Sequence, residues 1–307
     1  MGNVVLAVKT LAAFEDAVAR DQGAAFRVWQ GKVFPHLPDA YRGEDEAFRS
    51  HMGASIIGGE CARAIWYSFR WATKPRFTGR ILRLFNRGHI EEGRFIALML
   101  AAGIQVHQQD EHGKQYRISS FGGHFGGSGD GIGIGFPDLP AGLPALTEFK
   151  THNDSSFKKL KKEGVRASKF EHFVQMQVYM RKMGLTVAIY FAVNKNDDEI
   201  YAEIVALDAA VADQFEARAH KIIPMRVAPD KVSKSPGWVT CSWCDHRPVC
   251  HLKAPPERNC RTCEHSVPVP DLEGARWLCM LRDGGTFISK ETQLVGCGEY
   301  TLGTAFK

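Results

Sequence analysis

TEFKTHNDSSFKKLKKEG, residues Thr147 to Gly164, joins two stretches of opposite character. From Ala145 to Thr151 the chain is apolar and strand-like, yet it carries Glu148 and Lys150. Side chains two apart on a strand share a face, so this acid and this base point to the same side of a sheet. Taken alone, E-x-K most often marks a structural ion pair on a half-exposed strand. A charged pair on a strand crossing a core needs a partner to offset its desolvation. The second half then releases Lys158, Lys159, Lys161 and Lys162, which read as a basic loop leaving the strand.

The surrounding pattern places that strand in a larger fold. Upstream, Thr78 to Ala102 repeats apolar residues at helical spacing and stops at Gly103, as a long amphipathic helix or a helix pair would. Gln115 to Ile134 alternates and is rich in glycine, which predicts a β-hairpin. Downstream, Lys169 to Met183 has helical spacing with Gly184 as its stop. Val187–Asn194 and Ile200–Leu207 read as strands joined by a turn at 195–198, and a helix from Asp208 to about Ile223 follows. Pro224 and Pro229 mark the exit into a cysteine-rich tail. The first 54 residues read as helical or irregular, with a loop over Phe34–Pro38 and no evident chemistry. The order of helices and strands predicts an α/β fold, a mixed β-sheet flanked by helices.

Composition limits the function. The 307 residues are enough for a sizeable core, and 44% hydrophobic with 24% charged residues is ordinary for a soluble globular protein. No apolar run approaches the roughly 20 residues that cross a bilayer, which argues against a membrane protein. Glu15 and Asp16 follow the short N-terminal apolar patch and no basic region precedes it, so no signal peptide is expected and the cytoplasm is the default location. A net charge of +5 suits a polyanionic partner, and the basic residues cluster at 76–94 and 158–169.

Asp130, on the anticipated hairpin, could meet Glu148 and Lys150. Two converging carboxylates repel unless a cation lies between them, so a hard divalent ion, Mg²⁺ or Mn²⁺, is the economical partner. Lys150 would then orient or deprotonate a water, or stabilise charge developing on a phosphate. His89 and Glu92 lie three apart, and Gln175 and Tyr179 four apart, each pair on one helical face.

These residues, in this order, resemble the RecB-type branch of the PD-(D/E)XK nucleases, whose pattern sets a histidine or glutamate on a helix, then D, E-x-K and Q-x-x-x-Y. The resemblance spans about Cys61 to Cys250. It implies a restriction-endonuclease-like fold, with Asp130, Glu148 and the Phe149 carbonyl as metal ligands and Lys150 as the catalytic lysine. Glu92 or His89 would complete the metal shell, and Gln175 and Tyr179 would stand beside it. His89 follows Gly88 directly, whereas the family often spaces the two, so Glu92 is favoured as ligand and His89 as its support. His124 is a further candidate.

Eight cysteines fall into two sets. Cys241, Cys244 and Cys250 cluster and need a fourth ligand, and Cys61, far upstream, fits by elimination. Spacing alone leaves zinc open. One cysteine before and three after a nuclease core also resembles the iron–sulfur staple of AddB-type nuclease domains, which implies a [4Fe–4S] cluster. Cys260, Cys263, Cys279 and Cys297 suggest a small zinc module of ribbon type, since a tail of this size builds little core alone; His251 and His265 are substitute ligands. The expected domains are an N-terminal segment over 1–54, a nuclease domain over 55–255 and a cysteine-rich module over 256–307.

Lys158, Lys159, Lys161 and Lys162 are expected to contact DNA phosphates, and Phe157 and Trp66 either stack on bases or pack in the core. The expected function is a metal-dependent exonuclease acting in recombination, replication or repair, with a helicase or recombination protein as a possible partner. The stretch GGECARAIWYSFRW and the ending GCGEY resemble prophage-encoded nucleases. The alternative is a non-catalytic DNA-binding scaffold held by its cysteine sites.

Overall fold

A computed structural model describes residues 4–37, 48–109 and 115–306, so the end of the anticipated Phe34–Pro38 loop lies outside the described residues. The chain divides into two compact units built from interleaved segments. Met1–Asp45, Phe77–Ile118 and Ser128–Ala212 form the first, and Glu46–Arg76, Ser119–Gly127 and Asp213–Lys307 the second.

In chain order the first unit comprises β1 (Val5–Leu6), α1 (Val8–Ala19), α2 (Ala24–Val33), α3 (Gly79–Ala101), β2 (Gln105–His107), β3 (Gly131–Ile134), β4 (Ala145–His152), α4 (Asp154–Ser168), α5 (Phe170–Met183), β5 (Val187–Asn194) and β6 (Ile200–Ala206). The strands form one sheet in the order β1-β6-β5-β4-β3-β2. Within it β4 and β5 run parallel, with Glu148 opposite Tyr190 and Lys150 opposite Ala192. The other described pairings of this sheet are antiparallel. A parallel pair needs a crossover, and α4 and α5 supply it.

Alternation along β4 sorts its side chains onto two faces. Ala145 and Phe149 join Val187, Ile189, Phe191 and Val193 of β5 in a core closed by Ala7 and Phe14, Val33, and Phe95, Ile96 and Met99 of α3. Phe149 stacks on Phe95 at 5.3 Å between ring centroids, and Phe191 packs on Phe14 at 5.6 Å. The N-terminal helices, without chemistry in the sequence, thus cover this face. Leu146, Glu148, Lys150 and His152 point to the other face, beneath α4 and α5. All eight residues of β5 are buried, as expected of a central strand covered on both sides.

Two expectations need correction. The lysine run is not a loop. Asn153 caps α4 by accepting a hydrogen bond from the Ser156 N–H at 2.9 Å, Asp154 sits in the first turn, and Phe157 and Leu160 bury one face. Capping and apolar spacing therefore outweigh the charge of the run. The hairpin expected over Gln115–Ile134 is confined to Arg117–Ser120 and Phe125–Ser128, neighbours in a small sheet: Phe125 also pairs with Met52, whereas Gly131 pairs with Thr147 in the large sheet. Glycine-rich strands carry few side chains to fix one register. Of the two arrangements open for 78–102, the single helix forms: Gly79–Ala101, 23 residues, capped by the Thr78 hydroxyl.

The second unit has a different core. A helix over Ala62–Phe69 has Cys61 at its N-cap, and a three-stranded antiparallel sheet comprises Ser266–Pro268, Trp277–Cys279 and Thr286–Ile288. The Arg261 guanidinium lies 3.7 Å from the Trp71 ring and 4.6 Å from that of Trp277. It donates to the Phe69 and Ser50 carbonyls. The cysteine-rich tail thus shares an aromatic core with upstream segments of its unit and does not rely on metal alone for its packing.

Candidate active site

β4, the turn entering β3, and α5 bring the predicted residues together within the first unit. Glu148 is fully buried; Lys150 forms a close ion pair with its Oε1, and Gln175 Nε2 donates to its Oε2 at 3.2 Å. β3 begins at Gly131, opposite Thr147, and the Asp130 carboxylate just before it extends the pairing by accepting the Phe149 N–H at 3.0 Å. The N–H and C=O of one strand residue leave the same side, so the Phe149 carbonyl faces the side on which Asp130 lies. Its ring, locked in the opposite core, fixes that main-chain position.

Electrostatics tie these groups into one centre. Burial pushes the Asp130 carboxyl well above the carboxylate range, and the Glu148 charge adds to the effect. Burial likewise raises Glu148, against the pull of Lys150. Burial disfavours the Lys150 ammonium, but Glu148 and Asp130 more than offset this and hold its pKa above the ordinary lysine value. Lys150 is therefore a charged donor suited to binding an anionic oxygen. Glu92 on α3 acts on Asp130, Glu148 and Lys150 through its charge, and His89 Nδ1 lies 3.8 Å from Glu92 Oε1. Tyr179 is buried one turn beyond Gln175 on α5.

The four lysines of α4 are already engaged for the most part. Lys158 pairs with Asp154 at 2.8 Å, Lys161 with Glu199 at 2.5 Å, and Lys159 lies 3.8 Å from Glu163. Lys158, Lys161 and Lys162 line an open groove that also carries Asp154, Asp197 and Glu199, so its charge is mixed. Phe157 and Trp66 are both core residues at 1% exposure, which removes them as base-stacking platforms. His124 is fully buried in the second unit, edge-on to Phe69 and Trp277, and burial lowers its pKa to about 4.

Sequence reading missed five residues on the same face as Glu148. His152 continues the Glu148, Lys150 alternation, and His172 precedes Gln175 by three on α5, so both spacings were there to be read. Tyr190 links them, while Ser156 and Lys169 depend on the crossover for their approach.

Among the described residues, no three His, Cys, Asp or Glu side chains are arranged to hold a metal ion. The donors expected here are two carboxylates and a main-chain carbonyl, all oxygen, and Mg²⁺ commonly takes only one or two carboxylates with water filling the remainder. Two buried carboxylates of raised pKa fit such an ion chemically. In the second unit, Cys61, Cys241, Cys244 and Cys250 line one cavity of about 40 Å³, together with Arg63, Lys231 and His246. Burial raises the Cys260 thiol to about 11, and the charges of Cys297, Cys263 and Cys279 add to the effect. All eight cysteines are free thiols.

No family model matches the chain, and no curated protein matches it. Among solved structures, an alkaline exonuclease from Laribacter hongkongensis, LHK-Exo, also solved in complex with dAMP, is 16% identical at a TM-score of 0.40, over 56% of this chain and 86% of that one. SSO0001 is 15% identical at a TM-score of 0.37, over 76% of this chain and 99% of its own. Likeness at this level carries no inference about fold or activity, so the functional reading rests on the residues. No helix among the described residues is long and apolar enough to cross a membrane.

Proposed function

We propose that the first unit is a metal-dependent deoxyribonuclease that hydrolyses phosphodiester bonds, acting as an exonuclease. The observation that carries this reading is the convergence of Asp130, Glu148, Lys150 and Gln175 around the Phe149 main chain. Mg²⁺ or Mn²⁺, held by Asp130, Glu148 and the Phe149 carbonyl, would supply Lewis-acid stabilisation of the phosphate and an activated water. Gln175 holds the second oxygen of Glu148 and so fixes the direction of the carboxylate. Lys150, kept charged by its neighbours, donates to a non-bridging phosphate oxygen as negative charge grows there. Glu92 adds negative potential from α3, and His89 orients it. The lysines of α4 retain a secondary role as weak contacts to DNA phosphates, because exposed ion pairs contribute about 0–1 kcal/mol and exchange readily for other anions.

The reading is tested with end-labelled single- and double-stranded DNA, incubated with Mg²⁺, Mn²⁺ or EDTA. Wild-type protein should cut with either ion and not with EDTA, while Glu148→Gln and Lys150→Ala should each lose about 10²- to 10³-fold in rate, the typical effect of removing one electrostatic stabiliser. Binding without cutting would instead assign the chain a scaffold role.

The same proposal extends to the second unit. Four free cysteines around one cavity, with Arg63 and Lys231 in its wall, support a [4Fe–4S] cluster, whose thiolate-ligated form is anionic. Zinc is proposed for Cys260, Cys263, Cys279 and Cys297.

A further inference from the structure

Beneath α4 and α5 the site face of the sheet carries an unbroken hydrogen-bonded chain. Lys169 Nζ donates to Ser156 Oγ at 2.5 Å, Ser156 Oγ lies 3.1 Å from His152 Nδ1, His152 Nε2 lies 2.9 Å from the Tyr190 hydroxyl, and that hydroxyl lies 2.9 Å from His172 Nδ1. Tyr190 and His152 are buried. Burial holds His152 near pKa 4 and His172 near 3, with Lys169 and Lys150 adding to the effect on both. Both imidazoles are therefore neutral at ordinary pH, and each offers one donor and one acceptor.

Neutrality leaves two ways to orient the protons. Either Ser156 donates to His152, His152 to Tyr190 and Tyr190 to His172, or the whole sequence reverses. In the reversed order Ser156 accepts from both His152 and Lys169, and its own hydroxyl hydrogen is left without a use inside the chain. Lys169 meanwhile has no carboxylate among the described groups that act on it; burial and Lys159 both lower its pKa. A partly buried ammonium bonded only to a neutral hydroxyl lacks its counter-charge.

We propose that Lys169 and Ser156 form a subsite for one backbone phosphate of a nucleic-acid strand, with His152, Tyr190 and His172 as positioning residues that turn the Ser156 hydroxyl outward. The subsite rests on the nuclease reading for its ligand and lies on the same sheet face as Glu148 and Lys150. A phosphate oxygen would accept from Lys169 and from Ser156, which supplies the missing anion and selects the second proton order. Lys169 follows the non-helical Gly164 by five residues, so the break in α4 helps to set where the ammonium lies.

The test measures binding of a short fluorescein-labelled single-stranded oligodeoxynucleotide in EDTA, where no cleavage occurs, over a series of salt concentrations. Lys169→Ala should weaken binding about 3- to 10-fold at low salt and reduce the slope of log affinity against log salt by about 0.7, the value for one phosphate contact on a single strand. Lys169→Arg should restore both, and Ser156→Ala should weaken binding with little change in slope. Circular dichroism and thermal melting confirm that each variant folds. A slope and affinity for Lys169→Ala equal to wild type overturn the subsite, as does a wild-type protein that does not bind the oligonucleotide. Salt-sensitive, Lys169-dependent binding by a protein that never cuts DNA would keep the subsite and sink the nuclease reading. Normal binding by Lys169→Ala, together with loss of cleavage in Lys150→Ala, would do the reverse.

Discussion

Asp130 and Glu148 are placed where the protein's own stability argues against them. Each carboxyl is buried enough to have its pKa raised, so the folded state holds the proton more tightly than the unfolded chain does. A group of this kind favours folding below its unfolded pKa, and that contribution is lost as pH rises through the raised folded value. Metal-free protein should therefore lose stability as pH climbs from the ordinary carboxylate range toward neutrality. Asp130→Asn removes the titration and one of the repelling charges. Its melting temperature without metal should exceed wild type by a few degrees near neutral pH, at about 2–4 °C per kcal/mol recovered, and the gap should close in acid. Thermal melts in EDTA across pH check this; a less stable Asn variant at neutral pH would show that Asp130 serves the fold. The acid and base at 148 and 150 were legible from their spacing of two. The contact of Glu148 with Gln175 and that of Asp130 with the Phe149 N–H were not, because each joins residues from separate elements.

At the scale of elements, α4 shows how local signals compete. Four lysines suggest a solvated loop, but an Asn153 cap and the Phe157, Leu160 spacing make a helix, and α4 then serves as part of the crossover between two parallel strands. The helix is interrupted at Gly164, with φ of 73° and ψ of 173°, a backbone region open essentially to glycine alone. A Cβ there would come within 2.6 Å of Val4 Cγ2. The break also frees the Val165 N–H to donate to Glu203 Oε2 at 2.8 Å. Gly164→Ala should cost about 1–3 kcal/mol from the backbone alone and shift Lys169, so that urea unfolding moves to lower denaturant and oligonucleotide binding weakens together. An unchanged midpoint would mean that the break tolerates a side chain. The strands at 145–152, 187–194 and 200–206 were readable because a buried central strand is a continuous apolar run. The glycine-rich stretch before them was readable only in part, since its other pairing partners, Met52 and Thr147, lie in two different units.

For the whole molecule, the two cysteine sets both belong to the second unit, although Cys61 is separated from its companions by most of the first unit's sequence. Anaerobically purified protein should be brown and contain iron, and Cys61→Ser should lose the colour and most of the iron while the Glu148 site in the other unit remains folded. Elemental analysis with visible absorption decides it, and a colourless protein containing zinc alone would rule out the cluster. The grouping of Cys61 with Cys241, Cys244 and Cys250 followed from counting, and all four do line one cavity. The aromatic core in which Arg261 and Trp277 of the tail meet Phe69 and Trp71 had no signal in the spacing of cysteines.

The sequence by itself determined what repeats along one element: the alternation that puts Glu148 and Lys150 on one face, the helical spacing of Gln175 and Tyr179, the apolar central strands and the two sets of cysteines. These follow from the fixed periods of the strand and the helix, which need no knowledge of neighbours. Tertiary structure alone decided which elements meet. It set Asp130 against the main chain of β4, covered one sheet face with helices of no evident chemistry, and lined up Lys169, Ser156, His152, Tyr190 and His172. Those contacts depend on sheet order, crossover path and the burial that follows from them, and no local period encodes any of the three.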